Sequence, residues 1–337
     1  MGKGTTMRIA LDAMGGDHAP QVTVEGAVWA AREYDVEVAL VGHEEALEAE
    51  LNKHETSGLG LSIVHASEVL GMEDGPAIAA KTKRDSSMIV AMDLVKAGEA
   101  DAFFSAGNSG GAMAVALFRL GRIPGIKRPA LTAHYPSPDG YCVLLDVGAN
   151  TDCKPDWLLQ FGMMGSVYAE TALGISNPRV GIVSNGEEEG KGSTLVKEAY
   201  ALLKESQLNF VGNVEGKDIP AGLADVVVTD GLTGNVIIKL SEGLTRFLIR
   251  AIEKEIKSGT VTAIGGALAK PAFRRAKRIL DYSEIGGVPL LGVNGVVLVG
   301  HGRSNAKAIM NGLGGARRAA AGGMLAAITD RLAGMDL

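Results

Sequence analysis

Short, unbroken runs of Val, Ile, Leu and Ala recur along nearly the whole chain, each followed by a longer segment of helical character. A strand with one wet face alternates apolar and polar residues; these runs do not, so both of their faces are covered. Strands are expected at 8–12, 37–41, 61–65, 102–105, 130–134, 142–146, 180–184, 210–212, 226–229 and 296–299. Helices are expected to begin near Pro20, Ser86, Asn108, Pro155, Ser193, Gly234 and Ser304, several opened by a capping side chain or a proline. The β-α-β-α order predicts an α/β fold with a mostly parallel, doubly wound sheet. Residues 7–337 read as one domain, with "MGKGTT" (1–6) as a short leader. Only 236–285 departs from the alternation. Ile237, Leu240, Leu244, Leu248, Ala251 and Ile252 form a helical stripe there, and the segment reads as a helical hairpin projecting from the sheet.

Composition excludes several classes. Aromatic residues make up only 4% of the chain, too few for a β-sandwich or a stacking nucleic-acid binder. With 33 Lys and Arg against 39 Asp and Glu the net charge is −6, so no global field draws the chain to nucleic acid. Cys142 and Cys153 are too few for a disulfide framework or a zinc site, and suit a reducing cytosol. No apolar run is long enough to span a bilayer.

The 46 glycines sit at the ends of apolar runs, where tight turns between strand and helix need them. Ligands of α/β sheets collect at the carboxyl ends of strands. Five stretches expected there are rich in Gly, Asn and Asp: "DAMGGDHAP" (12–20), "SAGNSGG" (105–111), "DVGANTDCKP" (146–155), "NGEEEGKG" (185–192) and "TDGLTGN" (229–235). Each alone is an ordinary turn. Five on one edge predict a polar cleft in which glycine admits an anion to the backbone and helix starts supply donors. Nucleotide motifs fail in detail: no G-x-G-x-x-G is present, and "GEEEGKGS" has the wrong spacing and three repelling glutamates for a P-loop. No histidine pair has metal-ligand spacing, so neither metal nor cofactor is expected.

Within this cleft, Asp12, Gly15, Gly16, Asp17, Ser105, Gly107, Asn108, Ser109, Gly148, Asn185, Gly192, Asp230, Thr233 and Gly234 are expected to bind phosphate or substrate. Lys191, in a glycine-flanked loop, can clamp a phosphate or oxyanion, or pair on the surface with Glu187–Glu189. Asn150 and Asn235 can orient a carbonyl. His18 is a donor to an anion or leaving group, or a turn histidine. Cys153, before a helix start, is an alternative nucleophile without a nearby base. In "KTKRDSS" (81–87), Lys83 and Arg84 flank a helix start, which suits an anion, an acidic partner or plain solvation.

The stretches "MRIALDAMGGDHAP", "SAGNSGGAM", "LLDVGANTDCKP", "NPRVGIVSNGEEEGKG", "ADVVVTDGLTGNVIIKLSEG" and "LLGVNGVVLVGHGRSNAKA" resemble the bacterial phosphate acyltransferase family, in order, from Met7 to about Leu332. The resemblance implies a Rossmann-like α/β/α sandwich working as a homodimer. It implies transfer of a fatty acyl chain from acyl carrier protein (ACP) to inorganic phosphate without a nucleotide cofactor. It also implies peripheral association with the cytoplasmic membrane face, where a glycerol-phosphate acyltransferase uses the acyl phosphate for phospholipid synthesis. Asn294 stands where relatives carry a cation, so a catalytic cation is not expected there. Lys270, Arg274 and Lys277, with Arg275 and Arg278 beside them, suit acidic ACP or lipid headgroups. Val261, Ile264 and Leu268 suit a membrane interface or dimer packing. A short-chain phosphotransacetylase using acyl-coenzyme A and a silent ACP-binding scaffold are the rival functions.

Overall fold

The strand runs lie in the middle of a thick sandwich, with Ile9, Leu11, Leu40 and Phe104 fully buried. The computed structural model describes residues 6–138, 140–279 and 282–334, and no side chain at 277–279 or 282. The expected leader falls almost wholly outside these residues, as do the side chains of Lys277 and Arg278. In chain order the elements are β1 (Arg8–Asp12), α1 (Gln21–Tyr34), β2 (Glu37–Gly42), α2 (Glu44–Leu51), β3 (Leu61–His65), α3 (Pro76–Thr82), α4 (Ser87–Lys96), β4 (Ala102–Ser105) and α5 (Ser109–Arg119). Then come β5 (Ala130–Ser137), β6 (Gly140–Leu145), α6 (Pro155–Leu173), β7 (Val180–Val183), α7 (Thr194–Glu205), β8 (Phe210–Val214), β9 (Val226–Val228), α8 (Gly231–Ile256) and α9 (Thr260–Ile279). The chain closes with β10 (Gly287–Leu291), β11 (Val297–Gly300), α10 (Ala306–Ala321) and α11 (Met324–Ala333).

The strands form one sheet in the order β3-β2-β1-β4-β11-β10-β5-β6-β9-β7-β8. The first five in that order run parallel, and so do the last four. Between them β11–β10, β10–β5 and β5–β6 are antiparallel. Three reversals leave β6, β9, β7 and β8 pointing opposite to β1, β4 and β11. The α/β class and doubly wound layers are as expected; the reversal at the centre is not. It was hidden by β10, whose "GVPLL" contains Pro289. A proline lacks the N–H a ladder needs and argues against a central strand. Here Pro289 pairs with Leu298, its carbonyl accepts from Thr132 Oγ1 at 3.0 Å, and β10 meets β5 only at Leu290–Leu131 and Leu291–Ala130.

One face of the sheet carries α1, α10, α6 and α11 in a continuous core. On α6 every residue from Leu158 to Ala169 is buried. The helix rides close on β6 and β9, since a Cβ on Gly165 would lie 2.6 Å from Val226 Cγ1. The other face is covered by α4 and α5 over the first half and by α8 over the second. On α8, Leu240, Leu244 and Leu248 point to solvent. α9 turns back along it, with Gly266 against Ile256, and Val261 and Leu268 are 84% and 80% exposed. Among the described residues no helix is long and apolar enough to cross a membrane.

Candidate active site

Each half of the sheet has a buried aspartate at the end of a strand, and each aspartate organises one polar edge. Asp12 ends β1. Its carboxylate accepts from Ser87 Oγ at 2.6 Å and Ser105 Oγ at 2.7 Å, while Ser105 Oγ accepts from Gly107 N at 3.0 Å. Burial pushes its carboxyl above the usual range, against the pull of those two hydroxyls. Gly15 must lack a side chain, because a Cβ would lie 2.6 Å from Asp12 Oδ2. Gly16 takes φ +111°, and Asp17 N donates to Gly302 O at 2.8 Å, stitching the β1 loop to the one after β11. His18 is exposed, and its carbonyl accepts from Val22 N. Asn108 caps α5 through Gly111 N, and its amide holds the 71–74 loop by three carbonyls.

Asp146 follows β6 and is fully buried. It accepts from the backbone amides of Leu131, Gly148, Ala149 and Asn150, and from Asn150 Nδ2 at 2.9 Å. Burial raises its carboxyl too. Asn150 Nδ2 also donates to Pro129 O, and Asn150 O accepts from Gly231 N, so this asparagine ties two loops together. Asp230 caps α8 through Thr233 N and Thr233 Oγ1. Gly234 packs on Asp146 O, and Asn235 is exposed on the next position of the helix. Asn185 Oδ1 accepts from Gly192 N at 2.9 Å, and Lys191 is exposed.

The expectation of one cleft closed by five loops is therefore corrected. The loops at 12–20 and 105–111 share an edge with the start of α10. Those at 146–155, 185–192 and 229–235 lie on the opposite edge, because the antiparallel centre reverses the second half. Lys191, Asn235 and Asn150, with Asn185, Gly148, Gly192, Asp230, Thr233 and Gly234, are gathered there, away from His18, Asn108 and Ser109. Burial first, then Asp146's charge, pushes the Cys153 thiol up to about 12, which disfavours the thiolate a nucleophile needs. Glu187, Glu215 and Asp218 approach one another as metal ligands would, but Lys217 bridges Glu187 and Glu215.

A cavity of about 700 Å³ opens on the first of these edges. Its floor is the antiparallel centre of the sheet, where neither α5 nor α8 covers it: Leu131, Ala133 and Tyr135 of β5, Val288 of β10 and Val299 of β11. One wall is the side of α8 bearing Ile238, Ser241, Thr245 and Ile249, fixed to the floor by a 2.8 Å hydrogen bond between Ser241 and Tyr135 hydroxyls. The mouth is polar, with Ser109 at the start of α5 and His301, Arg303 and Asn305 before α10. Burial, then Arg303's charge, lowers the pKa of His301, whose Nδ1 accepts from Arg303 N at 3.5 Å. Ser109 is the expected site residue that lines this groove. His301 and Arg303 were not among the expected residues, although "GHGRSN" shows the same glycine-rich turn into a helix that marked the other five stretches. The groove side of α8 was masked by the stronger leucine stripe on its outer side.

His134 of β5 lines the same cavity, is stacked against Tyr141 and Tyr168, and shares a 3.0 Å hydrogen bond with Tyr168. Burial, then Arg318's charge, lowers it to about 4. The unfolded chain takes up this proton first, so its contribution to stability is full above the unfolded pKa of about 6.5 and lost as pH falls through the folded one. Denaturant unfolding across that window is expected to show a steeper acid loss for wild type than for His134→Gln. Equal slopes would remove His134 as the cause.

The family model described as "Fatty acid synthesis protein" matches residues 7–326. The phosphate acyltransferase of Trichlorobacter lovleyi is 49% identical over 326 residues, covering 97% of this chain and 94% of its own. That of Alkaliphilus oremlandii is 52% identical over 308 residues, covering 91% and 92%. Among solved structures, a phosphotransacetylase from Streptococcus pyogenes superposes with a TM-score of 0.59 at 19% identity, over 97% of this chain and 94% of the other. A 4-hydroxythreonine-4-phosphate dehydrogenase from Salmonella typhimurium gives 0.55 at 10%, over 94% and 99%. These two likenesses establish the Rossmann-like fold. The sequence matches establish more: the chain belongs to the fatty acid synthesis protein family and is similar to phosphate acyltransferases along nearly all of its length.

Proposed function

We propose that this protein transfers a long-chain fatty acyl group from acyl-ACP to inorganic phosphate, releasing free ACP and an acyl phosphate for phospholipid synthesis. The observation that carries the reading is the groove: a mostly apolar trough of about 700 Å³ that ends in a serine, a histidine and an arginine. A trough of that size suits a long acyl chain far better than an acetyl group, which sets it against the short-chain rival. The thioester carbonyl then lies at the mouth. A phosphate oxygen attacks its carbon, the C–S bond breaks, and the electron pair leaves on sulfur as thiolate. Arg303 holds the phosphate; the Ser109 hydroxyl and the positive end of α5 stabilise the oxyanion. His301 stands beside Arg303 at the mouth, its Nδ1 accepting from Arg303 N. Phosphate is already a competent nucleophile and thiolate a good leaving group, so positioning does most of the chemistry.

The surfaces fit a homodimer at a membrane. The leucine stripe of α8 suits a second copy, and Val261, Ile264 and Leu268 beside Lys270, Arg274 and Arg275 suit an anionic lipid interface. An acyl phosphate made there is within reach of a glycerol-phosphate acyltransferase. The deciding assay mixes protein with palmitoyl-ACP, with and without phosphate, and follows thiol release and hydroxylamine-trapped acyl phosphate. Phosphate-dependent release is expected, with little from acetyl-coenzyme A. Binding without turnover would leave the scaffold reading, and preference for acetyl-coenzyme A the phosphotransacetylase one. Ala133→Trp, which fills the floor, is expected to cut palmitoyl transfer about 10-fold or more while sparing octanoyl transfer. Equal losses for both chains would mean the acyl group lies elsewhere.

A further inference from the structure

The junction of α3, α4 and α5 carries a shallow depression of about 390 Å³ that the proposed reaction does not use. Its floor is apolar: Ile89 of α4 and Ala80 of α3, both buried. Its rim is cationic, formed by Lys81, Arg84 and Arg119. The carboxylates nearby are engaged: Asp93 is gripped by Arg119 through two guanidinium nitrogens, and Asp85 is held on Ser67. Phe118 stands at the edge, 52% exposed, with Lys81 Nζ 5.3 Å from its ring centre, and Ile78 on α3 is 71% exposed. Large apolar side chains left wet inside a charged rim mark an interaction surface. The chain as a whole carries a net charge of −6, and Lys81 and Arg84 gather two cations at this face.

We propose that this face docks the protein that delivers the acyl group; the inference rests on the ACP-dependent reading above. The complementary surface is an acidic helix with an apolar side chain at its centre: the side chain fills the depression over Ile89 while carboxylates meet Lys81 and Arg84. The position fits delivery. Phe118 and Ser109 stand at the two ends of α5, roughly 14 Å apart along its axis, so a flexible thioester arm runs from the docked carrier along α5 to the mouth of the groove. The hairpin cations are the competing location, but they sit beside exposed apolar residues that suit lipid.

The test compares wild type with Lys81→Glu/Arg84→Glu, both changes at exposed positions, and with Phe118→Ser. Binding of holo-ACP is read by fluorescence anisotropy, and turnover with palmitoyl-ACP and with palmitoyl-pantetheine, the same thioester without its protein. Holo-ACP binding and kcat/KM for palmitoyl-ACP are expected to fall about 10-fold or more, with the salt dependence of both flattened. Turnover of palmitoyl-pantetheine is expected to stay at the wild-type level. Unchanged ACP binding, equal losses with both donors, or loss of ACP binding from Arg274→Glu/Arg275→Glu instead would overturn the proposal. If wild type binds holo-ACP and turns over neither donor, the acyl-transfer reading fails while the binding arm still decides the docking face.

Discussion

Replacing Arg303 with Ala is expected to lower kcat/KM for acyl transfer roughly 100- to 1,000-fold with the thermal transition unchanged. Arg303 is exposed, and it opens onto the groove beside His301 and Ser109, where the proposed reaction puts the phosphate charge and the developing oxyanion. Ser109→Ala removes one neutral donor and is expected to cost about 10-fold to 100-fold by the same logic. The informative contrast is with the opposite edge. Lys191→Ala and Asn235→Ala, both at exposed positions beyond the reversed strands, are expected to stay within about threefold of wild type, well short of the loss from a transition-state donor. Should Lys191→Ala prove the damaging change and Arg303→Ala the mild one, the chemistry belongs to the edge organised by Asp146, and the groove needs another occupant.

Asp146→Ala is expected to be the most destabilising single change at either edge, on the order of 3–5 kcal/mol by denaturant unfolding. The carboxylate accepts from four backbone amides and one side-chain amide in a fully buried position, and truncation takes this acceptor from all five, leaving only Asn150 Nδ2 with its second bond to Pro129 O. Asp146→Asn keeps the shape but points a donor at donors, so an intermediate loss is expected. The pH dependence runs against the usual carboxylate case. Burial raises the folded pKa, so the native state holds this proton more tightly than the unfolded chain. The contribution to stability therefore grows as pH falls through the folded pKa toward the unfolded value, and Asp146 opposes acid unfolding. An acid-labile wild type rescued by Asp146→Asn would contradict this.

Most strands were legible in the sequence because continuous apolar runs admit few other readings: β1, β3 and β4 fall at their expected bounds. Helix starts at Asn108, Ser193 and Pro155 were legible for an equally local reason, a capping oxygen or a proline at the first position. Strand direction is not local. Nothing in "ALTAHYPS" or "GYCVLL" states that β5 and β6 pair antiparallel, and Pro289 concealed the strand that completes the reversal. That one omission placed five loops on a single edge. It also drew attention to Lys191 and Asn235, whose surroundings look catalytic in one dimension, and away from His301 and Arg303, whose stretch is just as glycine-rich. The groove is a product of pairing alone: it exists because the sheet changes direction between two helices that stop short of its centre.

The place of β11 between β4 and β10 bears on how the chain is made. Residues 130–228 hold five neighbouring strands, β5-β6-β9-β7-β8, but their helix α6 is covered by the later α11. The amino-terminal half depends on late segments too: β4 pairs with β11, and α1 packs on α10, whose Ile309, Leu313 and Ala316 complete its core. Domains fold during synthesis roughly in the order they emerge, and here both halves of the sheet need the same late segment. The last segment to arrive brings His301, Arg303 and Asn305 to the mouth and the Gly302 carbonyl to Asp17. A chain cut short before β11 thus lacks these mouth residues together with the part of the core that α10 and α11 supply.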